Sequence, residues 1–505
     1  MVATMKDFLK RAVLALWLAA LAFSLGGCVN QISEREMADL SASPIEAVVD
    51  APYEDSMAAK EEWVTLYFLD EDGSALLPMI RKITAEGGVS CAQAALEALL
   101  QGPVQGERGA SWPDLGASRS DRLLEVSAGV ATVDLPAHAR TLPQETLYAI
   151  RMAIANTLTE FSDISYVNVL VGGREEGLDL GATLPVGTFT RVDELDAASR
   201  YSRLLKQRLS GEGVKLLTTL YFPTADGRMV LPEVRNVAYA QVSPIEYLYT
   251  LLGELGKGAS LELCAREVPP PLEYIKEMPE IVRTEDGYLA IELCFDQELE
   301  EELAHSGMTL GVYLAMLSDT LMGFVPGVEG LKVSVGEWDV TALEAEQTPD
   351  GRGIVFEQGL VTRSDFTGYA GAPVTLYAME GDGLVRVQHV VAQTQAYSAR
   401  MRLAALMELE GRYALPQGLF ETDILAVCEG TDMIAVNLSS QFAQKIKSAG
   451  AQRERASVYA MVNTLTEGTD IARVFFFFEG EQVEALAGAL EMRGSFTRNP
   501  GMVVN

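Results

Sequence analysis

Thr65-Leu66-Tyr67-Phe68 returns as Thr219-Leu220-Tyr221-Phe222 and again as Thr375-Leu376-Tyr377-Ala378. Each string is followed closely by an Asp-Gly pair: Asp72-Gly73, Asp226-Gly227 and Asp382-Gly383. Such a pair between apolar runs predicts a β-hairpin, because glycine tolerates the positive φ of a tight turn. The returning arms are Ala75 to Ile83, Met229 to Val237 and Leu384 to Val391. One string recurring at wide spacing predicts a repeated folding unit.

A helix follows each hairpin. Ala92, Ala95, Leu96, Leu99 and Leu100 form one apolar stripe, matched by Ile245, Leu248, Tyr249 and Leu252 and begun by Leu403, Leu406 and Met407. Gly102-Pro103, Gly253 and Gly411 supply the stops. Strand pairs come next: Leu123 to Ser127 with Val130 to Leu135, Ile281 to Thr284 with Tyr288 to Phe295, and Ile424 to Cys428 with Met433 to Leu438. The longest helix carries Asn156-Thr157-Leu158-Thr159-Glu160, echoed by Asn463-Thr464-Leu465-Thr466-Glu467 and more weakly by Asp319-Thr320-Leu321. Val167 to Val171, Leu331 to Val335 and Val474 to Phe478 close the set. The tags Gly187 to Arg191, Gly359 to Arg363 and Gly494 to Arg498 then end each copy.

The fold class expected is therefore α+β: three tandem ββαββαβ domains with a short terminal strand, each one sheet with helices. They are placed at residues 62–192, 214–364 and 372–499, the middle one divergent. Tyr201 to Gly213 and Ser364 to Gly371 read as linkers, and Thr341 to Gly353 as an acidic loop.

Residues 1–27 read as an export signal. Lys6, Lys10 and Arg11 precede an apolar stretch from Ala12 to Leu25, about fourteen residues and short for a bilayer span. It ends in Leu25-Gly26-Gly27-Cys28, which resembles the lipobox of bacterial lipoproteins. The resemblance implies cleavage before Cys28, lipid attachment on its thiol, and an extracytoplasmic protein held at the outer face of the bacterial cell membrane. Residues 28–61, rich in Ala, Ser, Glu and Asp, read as a flexible tether.

The chain has 505 residues and a formal net charge of -32. A surface this acidic repels phosphate backbones, which excludes nucleic acid as a partner. His138, His305 and His389 share no place in the repeat. No two cysteines form a CxxC pair, and Cys264 with Cys294 reads either as a disulfide or as two buried thiols. There is no GxSxG elbow, HExxH helix or Walker loop, so no catalytic residue, metal ligand or cofactor site is assigned. Asp70-Glu71-Asp72-Gly73 reads as a hairpin turn rather than a calcium loop, since the later bidentate Glu is missing, and Glu298, Glu300, Glu301 and Glu302 as a solvated face. Asn156, Asp319 and Asn463 read as side chains bonding a neighbouring loop, with a recognition role as the alternative. Arg191, Arg363 and Arg498 read as partners of local carbonyls or carboxylates, and Phe475 to Phe478 as a strand buried on both faces.

Taken together, the unit resembles the GerMN domain of sporulation and spore-germination lipoproteins. The resemblance rests on the Leu-Tyr-Phe strand with its Asp-Gly turn, on Leu99-Leu100-Gln101-Gly102-Pro103, on Val133-Asp134-Leu135, and on Asn-Thr-Leu-Thr-Glu. The middle copy departs: Asp319 replaces the Asn, Gly-Pro is missing after its first helix, and Pro269-Pro270-Pro271 interrupts the next segment. The family implies a ring-building type of fold that works by protein contact. The expectation is a non-enzymatic, lipid-anchored scaffold in sporulation, germination or a related envelope process, with envelope proteins as partners. The alternative is capture of cell-wall glycan or peptide in an aromatic cleft holding Trp112 or Trp338.

Overall fold

The computed structural model describes residues 49–505, apart from 111–114, 116–122, 179–182, 210–212, 382, 397, 410–413 and 505. The signal segment, Cys28, Trp112, Asp382 and Gly411 therefore lie outside the described residues, as does the 28–48 part of the expected tether.

The short strand β1 (Ser56–Met57) precedes the first unit. There, β2 (Lys60–Leu69) and β3 (Leu76–Ala85) form an antiparallel hairpin with Leu66 opposite Met79. Asp70 closes the turn: its carboxylate accepts from the N–H groups of Ser74 (2.7 Å) and Ala75 (3.2 Å), while Gly73 takes φ +70°. Helix α1 (Cys91–Leu100) starts where the Ser90 hydroxyl accepts from the Gln93 N–H. Strands β4 (Leu124–Ser127) and β5 (Val130–Leu135) run antiparallel; helix α2 (Gln144–Leu158) then crosses over to β6 (Tyr166–Val171), parallel to β5. The tag residue Phe189 bridges antiparallel to Val167. A further helix, α3 (Ala197–Leu209), packs Tyr201, Leu204 and Leu205 on the first core. The segment read as a linker from Tyr201 is thus mostly helix, because its apolar residues fall on one stripe.

The second unit repeats this order. Its hairpin is β7 (Val214–Pro223) and β8 (Val230–Tyr239), followed by α4 (Pro244–Leu255) and the single turn α5 (Pro271–Tyr274) in the proline-rich stretch. Strands β9 (Glu280–Arg283) and β10 (Leu289–Phe295) are antiparallel. Helices α6 (Glu298–His305) and α7 (Leu310–Met322) lead to β11 (Val328–Val335), parallel to β10. The edge strand β12 (Trp338–Asp339) follows, then β13 (Ala342–Leu343) paired with β14 (Ile354–Val355) across the expected acidic loop. Val361 bridges to Leu331 as Phe189 does to Val167.

The third unit has the hairpin β15 (Gly371–Glu380) and β16 (Gly383–Ala392), helix α8 (Ala399–Glu408), and the antiparallel pair β17 (Ile424–Glu429) and β18 (Met433–Leu438). Helices α9 (Ser440–Ala449) and α10 (Ala451–Thr466) cross over to the parallel strand β19 (Arg473–Phe478). Strand β20 (Ser495–Phe496) closes the sheet. Phe475 to Phe478 are buried between two neighbouring strands, as the aromatic run predicts.

The architecture is α+β, with two departures from the expected unit. The hairpin is a separate two-stranded sheet, and two helices fill the crossover in the second and third units. The reason lies in α2 and its counterparts. From Leu147 to Leu158, and from Gly311 to Met322, every residue is buried. A helix covered all round packs the hairpin on one side and the sheet on the other. Leu66, Leu220 and Leu376 are each fully buried at equivalent hairpin positions, one in each of three hydrophobic cores. Residues Ala51–Asn505 form one compact body.

Candidate interaction surface

Most of the repeated polar residues are spent inside the units. A hairpin strand facing a helix leaves a backbone N–H without a ladder partner, and a helix threonine supplies one. The Tyr67 N–H donates to Thr157 Oγ1 (3.1 Å), Tyr221 N–H to Thr320 Oγ1 (2.9 Å) and Tyr377 N–H to Thr464 Oγ1 (3.1 Å). Asn156 clamps the closing loop, donating to Val192 O (2.9 Å) and accepting from Val192 N–H (2.8 Å). Asn463 does the same with Asn499, at 3.3 and 3.0 Å. The loop-bonding reading of these asparagines therefore describes them.

The tag arginines join two tyrosine–glutamate pairs. Arg191 donates to the Tyr67 hydroxyl (2.9 Å) and pairs with Glu160 (2.7 Å); Arg498 makes the same contacts to Tyr377 and Glu467. Burial and the Glu160 hydrogen bond raise the Tyr67 phenol above its ordinary value, which keeps it a donor.

Arg363 behaves differently. Gly323 stands where the others have Glu160 and Glu467, and Asp319 replaces the asparagine. Arg363, 1% exposed, pairs with Asp319 (2.9 Å) and reaches Glu125 of the first unit (2.8 Å). Burial alone would lower its pKa, but the Asp319 and Glu125 carboxylates outweigh that and hold it above the ordinary value. The Tyr221 hydroxyl bonds Thr132 Oγ1 (3.0 Å), and Thr188 Oγ1 bonds Thr219 Oγ1 (2.8 Å), across the same boundary.

What reaches outward is the sheet edge. Strand β1 lies parallel on β17, pairing Ser56 with Cys428 and Met57 with Glu429, and Ala58 N–H donates to Glu429 O (2.7 Å). The expected tether therefore ends before residue 52: a segment whose composition reads as unstructured is held by backbone pairing and by specific anchors. Arg400 donates to both Asp55 oxygens (2.6 and 3.0 Å), and Val427 N–H donates to one (2.8 Å). Burial pulls the Asp55 carboxyl up, yet the Arg400 and Val427 bonds outweigh it and leave it below 3.8. Asn437 donates to Pro52 O (2.9 Å) and accepts from Gly480 N–H (2.9 Å). Gly480 is at φ +85°, and a Cβ there would collide with the Tyr53 hydroxyl. In the second unit the corresponding strand, β9, ends its sheet.

Reactive chemistry is not gathered anywhere among the described residues. No three His, Cys, Asp or Glu groups converge as metal ligands there. His138 and His305 are exposed and His389 half-buried, in unrelated places. Glu298, Glu300, Glu301 and Glu302 are exposed on α6, as the solvated-face reading requires. Cys264 and Cys294 are free thiols. Burial pushes the Cys264 thiol up to about 12, and burial with the nearby Glu62 pushes Cys91 up to about 11, so neither is a nucleophile at neutral pH. Two shallow cavities, of about 320 Å³ beside Lys257 and Tyr274 and about 480 Å³ beside Pro416 and Lys445, are not lined by Trp338, which stands 76% exposed on β12. No helix among the described residues is long and apolar enough to cross a membrane.

Two segments, residues 65–177 and 375–484, match the Germane family, described as sporulation and spore germination. No curated protein matches the chain. Among solved structures, the tandem GerMN domains of the sporulation protein GerM from Bacillus subtilis are 17% identical, covering 60% of this chain and 99% of that one, at a TM-score of 0.22. The first GerMN domain of the same protein is 22% identical over 27% of this chain and 97% of that one, at 0.18. A candidate lipoprotein of Clostridium perfringens is 18% identical over 25% and 87%, also at 0.18. At these scores the superpositions are partial, and the match rests on the two sequence segments.

Proposed function

The chain carries tandem GerMN-like domains, and from that premise we propose that it is a lipid-anchored, non-enzymatic scaffold of the bacterial envelope, serving sporulation, germination or a related process. In this reading the middle unit is a third, divergent copy, and the three domains run over residues 62–192, 214–364 and 372–499. Cys28 carries the lipid and holds the protein at the outer face of the membrane.

The observation that carries the scaffold role is the docking of β1 on β17. An extended segment already sits on a sheet edge of this fold, held by backbone pairing and by side-chain anchors. Strand addition of this kind is a general mode of protein recognition. The tyrosine, asparagine and arginine sets support the same reading, because they serve folding and assemble no nucleophile and base among the described residues.

Affinity capture of the tagged full chain from envelopes of its native host tests the role. Reproducible enrichment of defined envelope proteins is expected; turnover of peptidoglycan fragments by the purified chain would overturn it. Anchoring has its own test. Cys28→Ala should release the protein from the membrane or block its maturation, and unchanged retention contradicts the lipid reading.

A further inference from the structure

The segment on β17 is held by anchors rather than by a core. Of Pro52 to Ala58, only Pro52 is buried; Tyr53 is 77% exposed, and Glu54, Asp55 and Ser56 are exposed. Elements with so little apolar burial open at small cost relative to the rest of a body. Once open, β17 presents unpaired backbone groups at a sheet edge, which invites another strand.

The receiving site is built. At the position of Asn437 the first unit has Asp134, whose carboxylate accepts from Gly173 N–H (2.8 Å), as Asn437 accepts from Gly480 N–H. A carboxylate can only accept, whereas an amide also donates. The second hydrogen bond of Asn437 goes to Pro52 O. Arg400 supplies a fork for a carboxylate two residues before the paired methionine, and Gly480 leaves room for the tyrosine ring. Amide donor, guanidinium and clearance match one sequence, Pro52-Tyr53-Glu54-Asp55-Ser56-Met57.

We propose that the β17 edge, with Arg400, Asn437 and Gly480, is a docking site for this strand from a second copy of the chain, and that the chain's own strand fills it in the single copy. The proposal deepens the scaffold reading, on which it rests, by naming one partner. Every copy carries both the strand and the edge, and only Ala58 and Ala59 separate β1 from β2. Exchange between copies remakes the same contacts, so the balance is set by concentration. A short linker gives the internal strand an effective concentration of roughly millimolar. Exchange therefore grows with crowding, or when the acceptor's own strand is weakened.

The register supplies the test, since Ser56 lies opposite the native Cys428. A donor full chain carrying Ser56→Cys and Cys428→Ser is mixed with an acceptor full chain that keeps Cys428 and carries Asp55→Ala. Any 56–428 disulfide, identified by peptide mapping after mild oxidation, then joins two copies. We expect this link to form, to rise with concentration, and to be several-fold more abundant than with an acceptor whose Asp55 is intact. Arg400→Ala on the acceptor, whose own strand already lacks Asp55, should weaken only the donor's strand and reduce the link several-fold. Absence of the interchain link at millimolar concentration overturns the proposal, as does a yield indifferent to Asp55→Ala or to Arg400→Ala on the acceptor. Envelope capture by the same chains is read separately, so loss of exchange with capture intact refutes only the second-copy partner.

Discussion

The first and third units keep their tag arginines at the surface, where each joins a tyrosine and a glutamate of its own unit. The second turns its arginine inward and shares it with the first. Arg191 has a side chain 47% exposed; that of Arg363 is 2% exposed. Two substitutions account for the change. Gly323 removes the outer carboxylate, and Asp319 supplies an inner one, so the cation follows the charge. The family match covers segments of the first and third units and passes over the second. Two of the positions that depart from the shared pattern, Asp319 and Gly323, thus bear on how one unit joins another.

That contrast orders the expected effects of substitution. Arg363→Ala should be the most damaging, because it removes the buried cation that two carboxylates of the boundary share, at a cost of about 3–5 kcal/mol. Denaturant unfolding of the full chain measures it; a loss below about 1 kcal/mol would place the pair in solvent and erase the contrast. Asn156→Ala and Asn463→Ala should each cost about 1–3 kcal/mol, since each leaves the closing loop's carbonyl and N–H without their partner. Arg191→Ala and Arg498→Ala should cost no more than about 1 kcal/mol, because solvent screens their pairs, and high salt should narrow their difference from the parent chain.

The smallest effect is a pH dependence confined to β1. Asp55 titrates below its ordinary value of 3.8, so its contribution is fully present above that value and is lost as pH falls through the lowered one. The protection of the Ala58 and Val427 amides, relative to their intrinsic exchange at each pH, should hold down to about pH 4 and fall below it, ahead of the cores. An equal fall in the Arg191 loop would remove the distinction between an anchored strand and an ordinary loop.

Much of the fold is legible in the sequence because its signals are local. The Asp-Gly turns, the helix stripes and the Asn-Thr-Leu echo each act within a few residues, and all recur in order. Leu66, Leu220 and Leu376 do occupy equivalent buried places. The split of hairpin from sheet was carried by a subtler signal, the almost unbroken apolar run of Leu310 to Leu317, which a helix exposed on one face does not need. Helix α3 was legible too, through Ala197, Tyr201, Leu204 and Leu205 at helical spacing. The interaction surface was not. Asp55 finds Arg400, and Arg363 finds Glu125, across hundreds of residues, and no local pattern encodes either meeting. The hints were single substitutions: Asp319 where the other units have asparagine, and the asparagine at 437 where the first unit has an aspartate, a change from acceptor to acceptor and donor.

A double-mutant cycle between Glu125→Gln and Arg363→Met, read by unfolding of the full chain, tests most directly whether the middle unit is a copy of the fold remade to grip its neighbour. The two residues should show a coupling of about 1–3 kcal/mol, several times that of the matching cycle on Glu160 and Arg191. Additivity at Glu125 and Arg363 within about 0.3 kcal/mol would contradict it.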